Sequence, residues 1–367
     1  MRKVAIVYDR VNKWGGAERV LLALHEIFPK APLYTSVYDS KKAPWASVFP
    51  KVNHSFLQYL PILNKTHELL GFLTPIAFET FNFKKFDVVI SVTSEAAKGI
   101  VVKPPTKHIC YCLTPTRYLW NDYAFFLKHP QKPLKYIPFY KVFAKPFLNY
   151  VRNWDKIAAK RPDKIIAIST EVQKRIQKYY QRDSEIIYPP VETEKFKLGK
   201  RKIIKGDYFL IVSRLVPYKK IDLAICAFNV LGDKLVIIGS GGEEKRLKLL
   251  SKNNIIFIKN LTDRELALYY HNTRAFVMPQ NEDFGIAAVE AQSAGIPVIA
   301  YRAGGALDIV VERKTGLFFD RQTVKSLIKA INLSKKIKYN KREIIKNVQR
   351  FDIGVFKNKF RNLIKTL

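Results

Sequence analysis

The sequence is poor in cysteine, in acidic residues and in long apolar runs. Its 367 residues include three cysteines, Cys110, Cys112 and Cys226, which are too few and too poorly spaced for a disulfide framework or a zinc site. No uncharged apolar run approaches the roughly 18–20 residues that span a bilayer, so we expect no transmembrane helix. Asp9 interrupts the apolar start too early for a signal peptide. A reducing, cytoplasmic setting fits these absences best.

The shortage of acidic residues leaves a large positive charge. The chain has 64 Lys and Arg against 31 Asp and Glu, a net charge of +33, which suits nucleic acid, an anionic membrane or phosphorylated substrates. Residues 101–150 contain eight basic residues and one acid, Asp122, interleaved with aromatic residues. This composition favours contact with anionic lipid headgroups. Stacking on single-stranded nucleic acid and a merely solvated lysine-rich surface are the alternatives.

Short apolar runs rich in β-branched residues recur between segments with helical spacing. Buried parallel strands have this appearance because both faces of their sheet are covered. The alternation predicts a doubly wound α/β fold with ligands at the carboxyl ends of the strands. The predicted strands are Val4–Tyr8, Val88–Val92, Ile109–Cys112, Ile165–Ile168, Phe209–Val212, Leu235–Ile238, Ile255–Ile258, Ala275–Met278 and Val298–Tyr301.

A break near residues 188–206 predicts two domains. Tyr188-Pro189-Pro190 stops regular structure, and a charged stretch precedes the next strand. We therefore expect two Rossmann-like domains, 1–192 and 193–350, facing each other across a cleft. Helically spaced apolar residues in 351–367 predict a terminal helix that packs back on the first domain.

The segment Asn281–Gly305 carries two carboxylates around a predicted helix start. Glu282 lies in a loop, Gly285 opens the helix and Glu290 lies five residues into it. A helix start offers unpaired N–H groups to phosphate or sugar oxygens, and glycine lets a ligand approach the backbone. The two carboxylates can hydrogen-bond two separate hydroxyl-bearing groups. An ordinary helix with an acidic first turn is the alternative.

Two further segments follow predicted strands. Arg214 and Lys219 come after the strand Phe209–Val212, at a carboxyl end where ligands bind and where two cations can stabilise negative charge. Gly15 and Gly16 follow the first strand and allow close approach by a phosphate. An exposed basic loop and a simple turn are the respective alternatives.

The Asn281–Gly305 segment resembles the ExFGxxxxE pattern of family 4 retaining glycosyltransferases with the GT-B fold, and the continuation AGIPVIAYRAGGALDIVVERKTGLFF is similar almost position for position. The resemblance implies that Glu282 contacts donor-sugar hydroxyls and Glu290 the ribose hydroxyls. It also implies that the backbone of Phe284, Gly285 and Ile286 faces the sugar and phosphate. Asp283 stands where a small residue is usual; this EDFG variant resembles the O-antigen mannosyltransferase branch and favours GDP-mannose.

The same resemblance assigns the remaining donor and acceptor residues. Arg214 and Lys219 match the diphosphate-binding pair, and the loop at Gly15 and Gly16 matches one that closes over the donor phosphates. Gly239, which follows the strand Leu235–Ile238, is counted with the donor site.

The acceptor side departs from the family. The block that commonly reads His-Thr-Pro has Leu113 in place of the histidine. Thr114 and Arg117 are the expected acceptor contacts, and we interpret His108, at the start of the strand, as structural.

These features predict a retaining hexosyltransferase that acts on a glycan or lipid-linked acceptor in cell-surface polysaccharide assembly. The resemblance implies front-face transfer with no protein nucleophile and no metal or other cofactor. We expect the protein at the inner face of the plasma membrane without specific nucleic-acid binding. The alternatives are a nucleotide-sugar epimerase or phosphorylase on the same fold and a basic nucleic-acid-binding protein.

Overall fold

A computed structural model describes residues 2–60, 73–128, 140–196 and 207–366. The chain divides into two compact units. The first unit comprises Met1–Tyr188 together with Lys357–Leu367, and the second comprises Pro189–Phe356. Among the helices of the described residues, none is long and apolar enough to cross a bilayer.

The first unit is built on a seven-stranded sheet in the order β3-β2-β1-β4-β5-β6-β7, and every pairing in it is parallel. The central strands are buried along almost their whole length, as their continuous apolar sequences predict. The strands are β1 Val4–Tyr8, β2 Leu33–Thr35, β3 Val52–His54, β4 Val88–Thr93, β5 Lys107–Cys112, β6 Lys164–Ala167 and β7 Glu185–Ile186.

The second unit repeats the arrangement with six strands in the order β10-β9-β8-β11-β12-β13, again all parallel. The strands are β8 Phe209–Val212, β9 Leu235–Ile238, β10 Ile255–Ile258, β11 Ala275–Met278, β12 Val298–Tyr301 and β13 Gly316–Phe319. The predicted α/β fold of two Rossmann-like parallel sheets is confirmed, and every predicted strand is present to within two residues at either end.

Helices form many of the connections between successive strands. They are α1 Gly16–Ile27, α2 Leu73–Glu79, α3 Tyr123–Lys128, α4 Tyr140–Ala158, α5 Thr170–Tyr180, α6 Ile221–Leu231, α7 Glu244–Leu250, α8 Asp263–Asn272, α9 Ile286–Ser293, α10 Ala306–Ile309, α11 Val324–Ser334, α12 Lys341–Val348 and α13 Ile353–Lys365. Helix α13 begins in the second unit and ends in the first. There the Phe360 ring lies 5.5 Å from that of Tyr111, between centroids, and Arg2 donates to the Ile364 carbonyl.

Each sheet reverses its strand order at its centre. In the first sheet, β1, β2 and β3 follow one another toward one edge, and β4 to β7 follow one another toward the other edge. In the second sheet, β8 to β10 and β11 to β13 run outward in the same way. The loops that leave two such strands part from each other, which opens a crevice at their carboxyl ends where α/β proteins bind ligands. Functional side chains are therefore to be sought after β1, β4, β8 and β11.

A buried ion pair holds the first unit together beside its reversal point. Lys98 Nζ lies 2.6 Å from Asp155 Oδ1, and both side chains are at most 2% exposed. The Asp155 carboxylate also accepts hydrogen bonds from Thr116, Trp120 and Tyr180 at 2.8–2.9 Å. Burial opposes the charged form of Lys98, but the neighbouring Asp155 outweighs it, so the pKa of Lys98 is raised.

Lys98→Met should destabilise the first unit by about 3–5 kcal/mol, because it leaves the Asp155 carboxylate buried without its cation. All four tryptophans, Trp14, Trp45, Trp120 and Trp154, lie in the first unit, so tryptophan fluorescence during urea unfolding reports on that unit. Lys164→Met is the control. It removes a surface pair with Glu185 whose side chains are 36% and 64% exposed, and it should change stability by less than about 1 kcal/mol. Equal effects of the two substitutions would contradict the role of the buried pair.

Candidate functional site

An ion pair joins the loops that follow the two central strands of the second sheet. Lys219, after β8, contacts Glu282, after β11, through its Nζ and the Glu282 Oε1. The two side chains are 12% and 16% exposed. Two residues separated by 63 positions in the sequence therefore meet at the point where the strand order reverses.

Neighbouring groups fix the position of Glu282. Gln280 Nε2 donates to Glu282 Oε1 at 2.9 Å, and the backbone N–H of Gly305 donates to the Glu282 carbonyl at 2.8 Å. Gly304 has a φ of +64°, and a Cβ there would lie 2.2 Å from the Glu282 carbonyl oxygen. The loop can adopt this conformation only because residue 304 has no side chain.

Arg214 lies in the same loop as Lys219. Its guanidinium donates to the Tyr218 hydroxyl at 2.6 Å, and Lys219 Nζ lies 5.2 Å from the centroid of the Tyr218 ring. The tyrosine thus contacts both cations of the loop. The chain folds this way because Pro217 begins a short 3₁₀ turn, Pro217–Lys219, and Lys220 adopts a φ of +52° before α6.

The loops after β8 and β9 pack backbone to backbone. Gly239 has a φ of +142°, and a Cβ there would lie 1.9 Å from the Ser213 carbonyl oxygen; a Cβ at Gly241 would lie 2.3 Å from that of Leu215. The Leu215 N–H donates to the Ser240 carbonyl at 2.9 Å. Gly239 therefore holds the loop that carries Arg214, and its place in a donor site stays a prediction.

Gly285 and Glu290 lie on either side of the start of α9. Gly285 precedes the helix with a φ of +114°, a conformation that favours glycine. The first N–H groups of α9 have no partner inside the helix. Glu290 is only 3% exposed and accepts a hydrogen bond from the Tyr270 hydroxyl at 2.8 Å. Its predicted contact with ribose hydroxyls stays a prediction.

Phe284 and Asp283 lie between Glu282 and Gly285. The Phe284 ring is buried against Phe351, with 5.4 Å between ring centroids. Its carbonyl oxygen would lie 2.1 Å from a Cβ at Gly305. Phe284 thus anchors the loop in the core, and only its backbone is left for the predicted ligand contact.

In the first unit, Gly15 and Gly16 lie where the sequence predicts, between β1 and α1. Gly15 has extended backbone, with a φ of −179°, and Gly16 begins the helix. Glu18, in the first turn of α1, is 1% exposed and accepts a hydrogen bond from Tyr8 at 2.8 Å. Burial raises the pKa of Tyr8, and the neighbouring Glu18 carboxylate raises it further. The tyrosine therefore remains a hydrogen-bond donor.

The predicted acceptor residues follow β5. Thr114 is buried and lies 3.3 Å from Arg175 NH1, and Arg117 pairs with Asp122 at 2.9 Å. His108 is buried at the start of the strand, 2.8 Å from Ser91 Oγ. Burial lowers the pKa of His108 to about 3, with Asp163 acting in the opposite direction, so it is a neutral core residue at physiological pH.

The structure brings Lys219 and Glu282 together and places Arg214 and Gly239 beside them. Sequence reasoning missed Gln280 and Tyr270, which support the two glutamates. Tyr270 carried no signal, because its partner lies on another helix, whereas Gln280 was detectable as a polar residue two positions after a buried strand.

In residues 2–60, 73–128, 140–196 and 207–366, no three His, Cys, Asp or Glu side chains are grouped to hold a metal ion. Independence from metal remains a prediction.

Comparison with known proteins bears on this second unit. Residues 191–351 match the family model of glycosyl transferases group 1. The chain is 30% identical over 183 residues to an uncharacterized glycosyltransferase, MJ1178, of Methanocaldococcus jannaschii; the alignment covers 48% of this chain and 50% of that protein. Residues 191–351 thus form a glycosyltransferase family domain. The predicted similarity to this family is confirmed for that segment.

Two further comparisons concern sugars and fold. The chain is 29% identical over 156 residues to a GDP-mannose-dependent phosphatidylinositol monomannoside mannosyltransferase of Mycolicibacterium smegmatis, an alignment covering 38% of this chain and 40% of that one. The chain therefore spans half or less of these two relatives. The Anabaena protein Alr3699/HepE in complex with UDP-glucose matches at 17% identity with a TM-score of 0.72, and both chains are covered completely. The predicted GT-B fold is therefore confirmed.

Gly239→Ala should lower the stability of the second unit by about 1–3 kcal/mol, because the added Cβ meets backbone and the φ is unfavourable for alanine. Gly242→Ala, three residues away, is the matched control, since a Cβ there meets nothing within 4 Å. Differential scanning calorimetry of the two variants measures the difference. A Tm for Gly239→Ala equal to that of the control would show that the two loops can separate freely.

Proposed function

We propose that this protein is a glycosyltransferase that transfers a hexose, with retention of anomeric configuration, from a nucleotide sugar to a glycan or lipid-linked acceptor. The observation that carries the proposal is the contact of Lys219 with Glu282 where the second sheet reverses its order, with Arg214 in the same loop. A cation and a carboxylate side by side can bind the two parts of a sugar diphosphate. The cation suits the phosphates and the carboxylate suits the hydroxyls of the sugar.

Charge development supports these roles. As the glycosidic bond breaks, negative charge accumulates on the leaving diphosphate, and Lys219 and Arg214 would stabilise it more in the transition state than in the ground state. Arg214 can donate two parallel hydrogen bonds to phosphate oxygens, whereas Lys219 acts as a point charge. In this proposal the acceptor hydroxyl attacks the face that the diphosphate leaves, which retains the configuration without a protein nucleophile or a metal.

For the donor we favour GDP-mannose. The EDFG sequence at Glu282–Gly285 supports this choice, as does the similarity to the mycobacterial enzyme that uses GDP-mannose. The similarity to a protein bound to UDP-glucose makes a UDP-hexose the competing donor.

We also propose that the enzyme associates peripherally with an anionic membrane, at the inner face of the plasma membrane. Helix α4 supports this within the basic stretch 101–150. Its described part exposes Phe147, Tyr150 and Ile157, at 36%, 61% and 57%, and Lys145 and Lys156 of the same helix are exposed as well. Exposed apolar and aromatic side chains on a helix that also exposes lysines suit the headgroup boundary. The rest of the predicted stretch, at 129–139, lies outside the described residues.

The donor assignment can be tested by thermal shift with GDP-mannose, UDP-glucose, GDP and UDP, because a ligand that binds the folded state raises Tm. We expect the largest shift with GDP-mannose. The anomeric configuration of the product is then read by NMR. No shift with any nucleotide sugar would contradict the proposed function, and an epimerised nucleotide sugar formed without an added acceptor would favour an epimerase.

Glu282→Gln should lower kcat about 10²–10³-fold, because a carboxylate that binds sugar hydroxyls is replaced by a neutral amide. Transfer or hydrolysis of the donor is measured by release of nucleoside diphosphate. Glu312→Gln is the matched control in the same unit: Glu312 forms a surface pair with Arg302 at 2.8 Å and is 40% exposed. Near-normal turnover by Glu282→Gln would refute the role of this carboxylate.

Replacing Tyr150 and Ile157 together by serine should weaken binding to vesicles of phosphatidylglycerol and phosphatidylcholine at least about tenfold, because two apolar side chains are lost from the bilayer boundary. Flotation measures the bound fraction, and vesicles of phosphatidylcholine alone test the contribution of charge. Replacing Val230 and Leu249 by serine is the control, since both are highly exposed in the second unit. Equal flotation of the two double variants would exclude α4 as the membrane contact.

A further inference from the structure

The first sheet carries an ion pair equivalent to the one in the second. Arg10, after β1, contacts Glu95, after β4, through its NH2 and the Glu95 Oε1. Lys219 and Glu282 follow β8 and β11 in the same way, and both pairs lie where the order of a parallel sheet reverses. Crevices at such reversal points are where doubly wound sheets bind ligands. The mechanism proposed above makes no use of the pair in the first unit.

The loop that carries Glu95 is held by buried polar groups. The Asp9 carboxylate is 4% exposed and accepts four hydrogen bonds of 2.7–3.0 Å from the loop after β4. The donors are Thr93 Oγ1 and the backbone N–H groups of Ser94, Glu95 and Ala97. On the other side, the buried Lys98 ammonium donates to the Glu95 carbonyl. Both the N–H and the C=O of Glu95 are therefore fixed by charged groups removed from water.

This support is out of proportion to what the Arg10–Glu95 pair contributes to stability. The two side chains are 25% and 27% exposed, and pairs in contact with water contribute little. Burying Asp9, Lys98 and Asp155 carries a large desolvation cost that must be offset by their mutual contacts. What the arrangement does achieve is a carboxylate held in one orientation at the sheet's carboxyl edge, as a binding group requires.

Glu95 also borders a narrow recess in the first unit, whose lining includes the polar residues Thr74, Thr116, Tyr118 and Asp155. The recess is too narrow for a sugar ring, so a single hydroxyl group or a water molecule is what can enter. Asp155 already has four partners in Lys98, Thr116, Trp120 and Tyr180. Glu95 Oε2, in contrast, has no hydrogen-bond partner among the described residues, which leaves it as the acceptor for an incoming hydroxyl.

We propose that Glu95, together with Arg10, binds a hydroxyl group of the sugar acceptor. The carboxylate accepts the hydroxyl hydrogen, and the guanidinium holds the carboxylate and can donate to a second hydroxyl oxygen. The inference rests on the proposed function and assigns the ligand of the first unit to the class of glycosides.

The test compares Glu95→Gln with Glu185→Gln. Glu185 also forms an exposed pair in the first unit, with Lys164 at 3.5 Å, but it lies on the edge strand β7. The acceptor probes are n-octyl glucoside, n-octyl mannoside and n-octyl galactoside, used with the donor that the wild-type chain binds. Four quantities are measured for each variant: Tm, affinity for the donor, release of nucleoside diphosphate without acceptor, and KM for the octyl glycoside.

Glu95→Gln should raise the KM for the octyl glycoside roughly 10-fold to 100-fold, the range for a hydrogen bond to a charged group. Donor affinity, acceptor-free hydrolysis and Tm should match those of Glu185→Gln. A purely structural role would lower Tm and change donor affinity, acceptor-free hydrolysis and the KM for the octyl glycoside together. An equal KM for the two variants, a loss confined to donor affinity, or no transfer by the wild-type chain to any of the three glycosides would overturn the inference. If the wild-type chain bound no nucleotide sugar, the proposed function itself would be wrong as well.

Discussion

Both units of this protein depend on one topological constraint, the reversal of strand order between two adjacent parallel strands. Connections leave β1 and β4, and β8 and β11, in opposite directions, so backbone does not cover the carboxyl ends of these strands. Side chains in the flanking loops are brought face to face across the opening. In this chain a basic residue and a glutamate meet at both openings. The strand order thus accounts for where charge is concentrated more directly than any local motif.

The loops at these openings are kept in place by different means in the two units. Around Glu282 the backbone itself is tightly packed, and Gly239 and Gly304 are required because another carbonyl occupies the space of a side chain. Around Glu95 the loop is held instead by the buried charges of Asp9 and Lys98. Close backbone packing leaves little room for substitution, whereas a network of buried charges depends on every member remaining paired.

Much of the fold was predictable because buried parallel strands leave a continuous apolar signature. The runs at Val4–Tyr8 and Leu235–Ile238 coincide with the observed strands. Four observed strands were not predicted: β2, β3, β7 and β13. β2 and β13 are mostly buried but only three and four residues long. The edge strands β3 and β7 are two or three residues long, and their residues are half-buried or exposed, so they carry no such pattern. Two-residue pairing at a sheet edge is determined by the neighbouring strand.

The site residues were predictable only where they lie close together in the sequence. Glu282, Gly285 and Glu290 lie within nine residues and could be interpreted together. The pairing of Arg10 with Glu95 joins positions 85 residues apart, and sequence spacing contains no information on it. Asp9 was noticed only as a charge that interrupts an apolar run. Its four hydrogen bonds to the loop after β4 follow from strand order, which had to be seen in three dimensions.

The path of α13 has a consequence for biosynthesis. The first unit includes Lys357–Leu367, and Phe360 packs on Tyr111 while Arg2 donates to Ile364. A ribosome therefore synthesises the whole second unit before it has made the last piece of the first. Until then the Tyr111 side of the first sheet lacks its covering helix, so the first unit reaches its final packing last even though its sequence emerges first.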